Sequence, residues 1–153
     1  MKYVLLALLT SLGCSRSAGE ADTYARVAER VNPVLERLRP TAIRISSLDV
    51  KSPSTHAEIV ELCKTMDPEL EQLKREQADL GELGGAPGSA DANLNVPIAA
   101  RQIVLGRLGL CGDPTSLRLC AEYCHGRWSN LRSSVEQLNQ RAAKFGVKFV
   151  ELR

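Results

Sequence analysis

The feature that most constrains the fold is a long apolar stripe near the end of the chain. Between residues 117 and 145, apolar side chains recur alternately every three and four positions, which places them on one face of an α-helix. Asp113 and Pro114 precede this stripe as a cap and a first helical residue, and Gly146 follows it as a stop signal. We therefore expect one long amphipathic helix packed against other helices, carrying Leu117, Cys120 or Ala121, Cys124, Trp128, Leu131, Val135, Leu138, Ala142 and Phe145.

An earlier stretch shows the same period and predicts a first helix that opens at a cap on Asp22 or Thr23. Pro33 should kink this helix, and Pro40 should bend or end it. Residues 42–50 alternate in part like a strand, but we assign them to a further helical turn. The apolar positions of the first helix are Tyr24, Val27, Ala28, Val31, Val34, Leu35 and Leu38.

A second helix should follow the break at residues 52–54. Thr55 and Glu58 have the spacing of a capping box, in which each side chain bonds the other residue's backbone N–H. The helix restarts at Asp67-Pro68, and its apolar stripe continues to Leu83. Residues 84–95 are rich in Gly, Ala, Ser and Asn and predict a flexible loop.

Pro97 suits the first turn of a short third helix that reaches Leu105. The predicted fold class is therefore all-α: an up-and-down bundle of about four helices, kinked by prolines and tied by disulfides, over residues 23–153. Val147 and Phe149 should pack back on the bundle.

Charge is nearly balanced, with a formal net charge of +2, so no strong field favours nucleic acid as a partner. Residues 51–92 carry four basic and nine acidic side chains, whereas residues 93–153 carry nine basic and four acidic ones. We expect these two halves of the domain to face each other.

Residues 1–13 have the pattern of a secretory signal peptide: a positive start at Lys2, a short apolar run to Leu12, and small residues before Cys14. The apolar run of about eleven residues is too short for the roughly twenty that a membrane span needs. A buried N-terminal helix is the alternative.

The end of this leader resembles the lipobox of bacterial lipoproteins, which matches at Gly13 and Cys14 and departs from the usual residues at Ser11 and Leu12. The resemblance implies that Cys14 carries a lipid, that residues 14–22 form a polar tether, and that Ser15 directs the protein to the outer membrane, where it faces the periplasm or the cell surface. Ordinary cleavage without lipid is the alternative.

Four cysteines then remain, and an even number in an exported domain predicts two disulfides. Cys120 and Cys124 lie one turn apart on one helix face, where a mutual bond is awkward. Cys111 can reach Cys120 more easily than Cys124, which leaves Cys63 for Cys124.

Cys120, Cys124 and His125 also resemble a c-type haem attachment site, with one residue too many between the cysteines. On that resemblance His125 would be the axial ligand, and the protein would be a haem or small-ligand carrier. Glu122 and His125 have the spacing of a di-iron motif, but the second pair that such a site needs is absent.

A zinc site from the four cysteines and His125 is chemically possible, but an oxidising compartment favours disulfides, so we predict no metal and no cofactor. His56 and Glu58 match only half of a zinc-deaminase signature. No nucleophile or phosphate-loop motif occurs, so an enzyme is not expected. The leading hypothesis is a non-enzymatic envelope lipoprotein that binds another envelope component.

Overall fold

The computed structural model describes the backbone of residues 11–80, 111 and 114–153, and within these residues all regular structure is helical. The α-helices are α1 (Ser11–Ser47), α2 (His56–Thr65), α3 (Asp67–Glu76) and α4 (Leu117–Ala142). Single turns of 3₁₀ helix precede α2 and α4 and follow α4. The all-α bundle predicted from the sequence is confirmed, whereas the predicted loop at 84–95 and the helix from Pro97 lie outside the described residues.

Helix α1 begins earlier than predicted. It begins at Ser11, and the Thr23 hydroxyl, expected as a cap, instead donates to the carbonyl of Gly19 inside the helix. The predicted start is therefore wrong, and the backbone of residues 14–22 is helical where the sequence suggested a polar tether. The physical reason is that no proline interrupts this stretch, and Ala18 and Ala21 favour the helix.

The same helix continues through Pro33 and Pro40. Each proline deprives the carbonyl four residues earlier, on Glu29 or Glu36, of its helical donor. Both prolines and both glutamates are exposed, so water can satisfy the freed carbonyls. The helix therefore reaches Ser47, which confirms the helical assignment for the residues that follow Pro40.

The capping box predicted before α2 does not form. The Thr55 hydroxyl donates to the backbone carbonyls of Asp49 and Ser52, and the Glu58 carboxylate pairs with Arg44 on α1 at 2.6 Å. A cross-helix guanidinium therefore takes the carboxylate that a local pattern assigned to the helix start. Helix α3 begins at Asp67-Pro68, as the sequence predicted.

Three arginines spaced seven residues apart on α1 show how the helices are arranged. Their carboxylate partners run backwards along α2, α3 and the turn after it, so α1 is antiparallel to that pair of helices. The ion pairs are Arg30–Asp79, Arg37–Glu69 and Arg44–Glu58. Part of the acidic face of residues 51–92 therefore meets α1, and the same segment also meets residues 93–153, since Cys63 on α2 is bonded to Cys124 on α4.

Helix α4 is also antiparallel to α1. Phe145, just after α4, lies beside Tyr24, with ring centroids 5.4 Å apart, and Lys144 is 3.6 Å from Glu20. Every apolar residue predicted for the buried face of α1 is buried. The stripe on α4 is buried from Cys120 to Ala142, and Trp128 belongs to this core.

Candidate functional site

Four cysteines form two disulfides, both of which involve α4. Cys63 on α2 pairs with Cys124, with Cα atoms 6.4 Å apart, and Cys111 pairs with Cys120 at 5.4 Å. These are the two pairs suggested by the sequence. The bonds tie α4 to α2 and to the segment that precedes α4.

The pairing bears on the haem alternative, because Cys120 and Cys124 would have to supply the thioether bonds. Both sulfur atoms are engaged in disulfides. His125 is half-buried, and Glu122 is exposed and lies 3.8 Å from Arg118 one turn earlier on α4. No set of three or more metal-ligating side chains comes together within the described residues.

His56 and Glu58, the half-match to a deaminase signature, have structural roles. His56 is buried at the start of α2, and its Nε2 lies 2.9 Å from the carbonyl oxygen of Val50. Glu58 is held by Arg44. The two side chains therefore stabilise the α1–α2 connection.

Four side-chain hydrogen bonds from α1 and α4 hold the segment after α4. The α4 helix stops at Gly146, whose φ of 70° lies in the left-handed region that favours glycine. The segment Val147–Arg153 has no helical structure and lies between α1 and α4. We call this bound segment the tail.

Two asparagines bind the tail backbone from opposite sides. The Asn139 amide on α4 accepts from the N–H of Phe149 at 2.7 Å and donates to its carbonyl at 3.0 Å. The Asn32 amide on α1 accepts from the N–H of Val150 at 2.8 Å and donates to the carbonyl of Lys148 at 3.0 Å. In an extended strand, the N–H and C=O of one residue point to one side, and those of the residues before and after it point to the other side. Asn139 therefore bonds Phe149 from one side and Asn32 bonds Lys148 and Val150 from the other, as the two neighbouring strands of a sheet would do.

Two apolar side chains fix the tail's register. Phe149 is fully buried, and Leu152 is 2% exposed. Lys148 and Arg153 are exposed, and Val150 and Glu151 are half-buried. The arrangement thus selects an extended backbone with an aromatic residue and, three positions later, an aliphatic one.

Within the tail, the closest contact between charged groups joins Glu151 and Arg153. Glu151 accepts a hydrogen bond from Arg153 at 2.6 Å, which lowers the pKa of Glu151 and raises that of Arg153. Arg39 of α1 makes a longer contact, 3.5 Å, with the carbonyl of Arg153. A surface cavity of about 310 Å³ lies between α1 and the tail and is lined by Glu36, Arg39 and residues 148–151.

Near the other end of this α1–α4 interface, Tyr24 is 7% exposed. Burial raises the pKa of its hydroxyl, and Glu20 acts in the same direction, whereas Arg141 opposes them. The neutral phenol is therefore the form that the fold favours.

Sequence reasoning placed Phe149 on the bundle but missed Asn32 and Asn139. The available signal was weak: asparagine is a poor helix former, and Asn32 and Asn139 lie next to the buried stripe, but so does the exposed Asn130 on α4. The partners of Asn32 and Asn139 are backbone groups, which no residue pattern reveals.

Comparison with known proteins adds no relationship: no family model matches the chain, and neither curated proteins nor solved structures gave a match. Among the helices of the described residues, none combines the length and hydrophobicity that crossing a membrane requires.

Proposed function

We propose that the chain is an exported bacterial lipoprotein, anchored to the outer membrane through Cys14, that acts without catalysis by binding another envelope protein. The observation that carries this proposal is the number of cysteines and the way in which they pair. The chain has five, and four of them pair with one another in the bundle. Cys14 is then left with no partner cysteine in its own chain, at the lipobox-like end of an apolar leader.

The two disulfides support export independently of the leader. Stable disulfides form in oxidising compartments, such as the bacterial periplasm, and are rare in the cytosol. A domain with four cysteines committed to cross-links therefore fits a chain that leaves the cytosol.

A binding role is supported by what the polar groups do. His56 and Glu58, flagged by the sequence for possible chemistry, hold elements of the fold together. Asn32 and Asn139, which we call the asparagine clamp, in contrast hold the backbone of the chain's own tail, and this supports a role in holding peptide segments.

The anchor has a geometric consequence. Cys14 precedes the buried Tyr24 by ten helical residues, which correspond to about 15 Å at 1.5 Å per residue. Asn32 lies eighteen residues beyond Cys14, or about 27 Å along the helix. A lipid on Cys14 would therefore place the membrane anchor about 27 Å along α1 from Asn32, which contacts the tail.

Metabolic labelling with radioactive palmitate tests the anchor. Label should enter the wild-type chain and a Ser17→Ala control but should be absent from Cys14→Ser, which should also leave the membrane fraction. Equal labelling of all three, or labelling of none, would contradict the lipid anchor.

A further inference from the structure

We infer that the groove between α1 and α4, in which Asn32 and Asn139 hold the tail, is an exchangeable binding site for an extended segment of a partner protein. The chain's own tail, Val147–Arg153, competes with that partner segment for the groove. The inference rests on the proposed role as a binding module and names the surface and the chemistry of its partner.

The groove recognises main-chain geometry first. All four hydrogen bonds from Asn32 and Asn139 go to N–H and carbonyl groups of residues 148–150, which any non-proline sequence can offer. Recognition of an added strand works in the same way: backbone hydrogen bonds provide affinity, and pockets for a few side chains provide specificity.

Specificity comes from the two buried side chains of the tail. Phe149 and Leu152 are almost wholly removed from solvent, whereas Lys148 and Arg153 point outward. The segment seated in the groove thus defines its competitor: an extended peptide with an aromatic residue followed three positions later by an aliphatic one, and with charged residues tolerated next to them.

The tail beyond Val147 can leave without disrupting a helix, and only the Val147 N–H caps α4, at the Ala142 carbonyl. It is joined to α4 at Gly146, outside the helix, and neither disulfide crosses it. Its close ion pair, Glu151–Arg153, is internal and can travel with it. The surface cavity lined by Glu36 and Arg39 leaves one edge of the bound tail accessible to solvent.

Competition with a tethered segment reduces the apparent affinity for a partner by the fraction of time that the groove is empty. Weakening the tail's hold should therefore raise the affinity for a peptide added in solution. This is the measurable difference between an exchangeable tail and one that is only part of the core.

The probe is a fluorescent peptide with the sequence of residues 146–153, titrated against the mature, oxidised chain by anisotropy. Wild type should bind weakly, and the full-length double variant Phe149→Ala, Leu152→Ala should bind at least tenfold more tightly. Adding Asn139→Ala to the double variant should abolish this gain in affinity for the peptide. As a control, a peptide in which alanine replaces Phe149 and Leu152 should not bind to the double variant.

Hydrogen exchange on the unmodified chain provides a readout that does not depend on folding of the variants. The amides of Phe149 and Val150 should exchange faster than that of Leu138 in α4, through local opening. Equal exchange of all three, or no peptide binding to a natively folded double variant, would overturn the inference. A dimer that disappears in the double variant would also overturn it, because the groove would then belong to a second copy. Each failure would leave the palmitate result, and hence the anchor, untouched.

Discussion

Replacing Asn139 by alanine should destabilise the domain far more than a surface asparagine does. The substitution removes the amide that accepts from the Phe149 N–H and donates to the Phe149 carbonyl. Both of these backbone groups are partly buried, and the Phe149 side chain is fully buried. A buried backbone group left without a partner costs about 1–3 kcal/mol, and because these two groups are only partly buried, about 1–2 kcal/mol applies to each and about 2–4 kcal/mol to the pair. Alanine returns about 0.5 kcal/mol through its better helix propensity, which leaves a net loss of about 1.5–3.5 kcal/mol.

Asn130→Ala is the matched control, because Asn130 is exposed on the same helix. It gains the same propensity, so its stability should lie within about 0.5 kcal/mol of wild type. Asn139→Asp keeps the acceptor for the Phe149 N–H but places a carboxylate against the Phe149 carbonyl, so it should not restore stability. Urea unfolding of the oxidised proteins, followed by circular dichroism, measures all three. If Asn139→Ala were no less stable than Asn130→Ala, the clamp would not hold the tail.

Three further perturbations have defined outcomes. Cys63→Ser should cost about 4 kcal/mol and Cys111→Ser about 3 kcal/mol by the loop-entropy relation, since the two disulfides span 61 and 9 positions; urea unfolding that reversed the order would contradict this reasoning. A double-mutant cycle on Arg37 and Glu69, both partly exposed, should give a coupling of about 0–1 kcal/mol that weakens with salt, and a larger, salt-insensitive value would be inconsistent with a solvated pair. Burial raises the pKa of the Tyr24 hydroxyl above its ordinary value near 10, so the stability that the neutral hydroxyl contributes is fully present below pH 10 and is lost as pH rises through the pKa of the folded state. Tyr24→Phe should remove that part of the loss of stability at alkaline pH, and an unchanged dependence of stability on pH would refute this prediction.

The success of sequence reasoning depended on how local the physical cause was. The stripe on α4 could be predicted because one period over many residues determines which side chains face a core, and Trp128 and Leu138 are buried as expected. The shared face of Cys120 and Cys124 likewise suggested that each would pair elsewhere, as the structure shows.

The failures involve partners that are distant in sequence. Glu58 has the spacing of a cap, but Arg44 on the neighbouring helix takes it. Asn32 contacts the backbone of Lys148, 116 positions away, through groups that every residue carries. The start of α1 was misplaced because Thr23 fits a cap and a helix interior alike. For Glu58 and Asn32 the missing information was which elements lie side by side, whereas for Thr23 the local pattern itself fits both roles.

The most direct test of the central claim is the unreduced mass and N-terminal analysis of the native chain purified from membranes of its host. We expect a chain that begins at an acylated Cys14, lacks residues 1–13, and contains two disulfides, mapped as Cys63–Cys124 and Cys111–Cys120. A chain that retains its leader, carries no lipid and has free thiols at these four positions would contradict it.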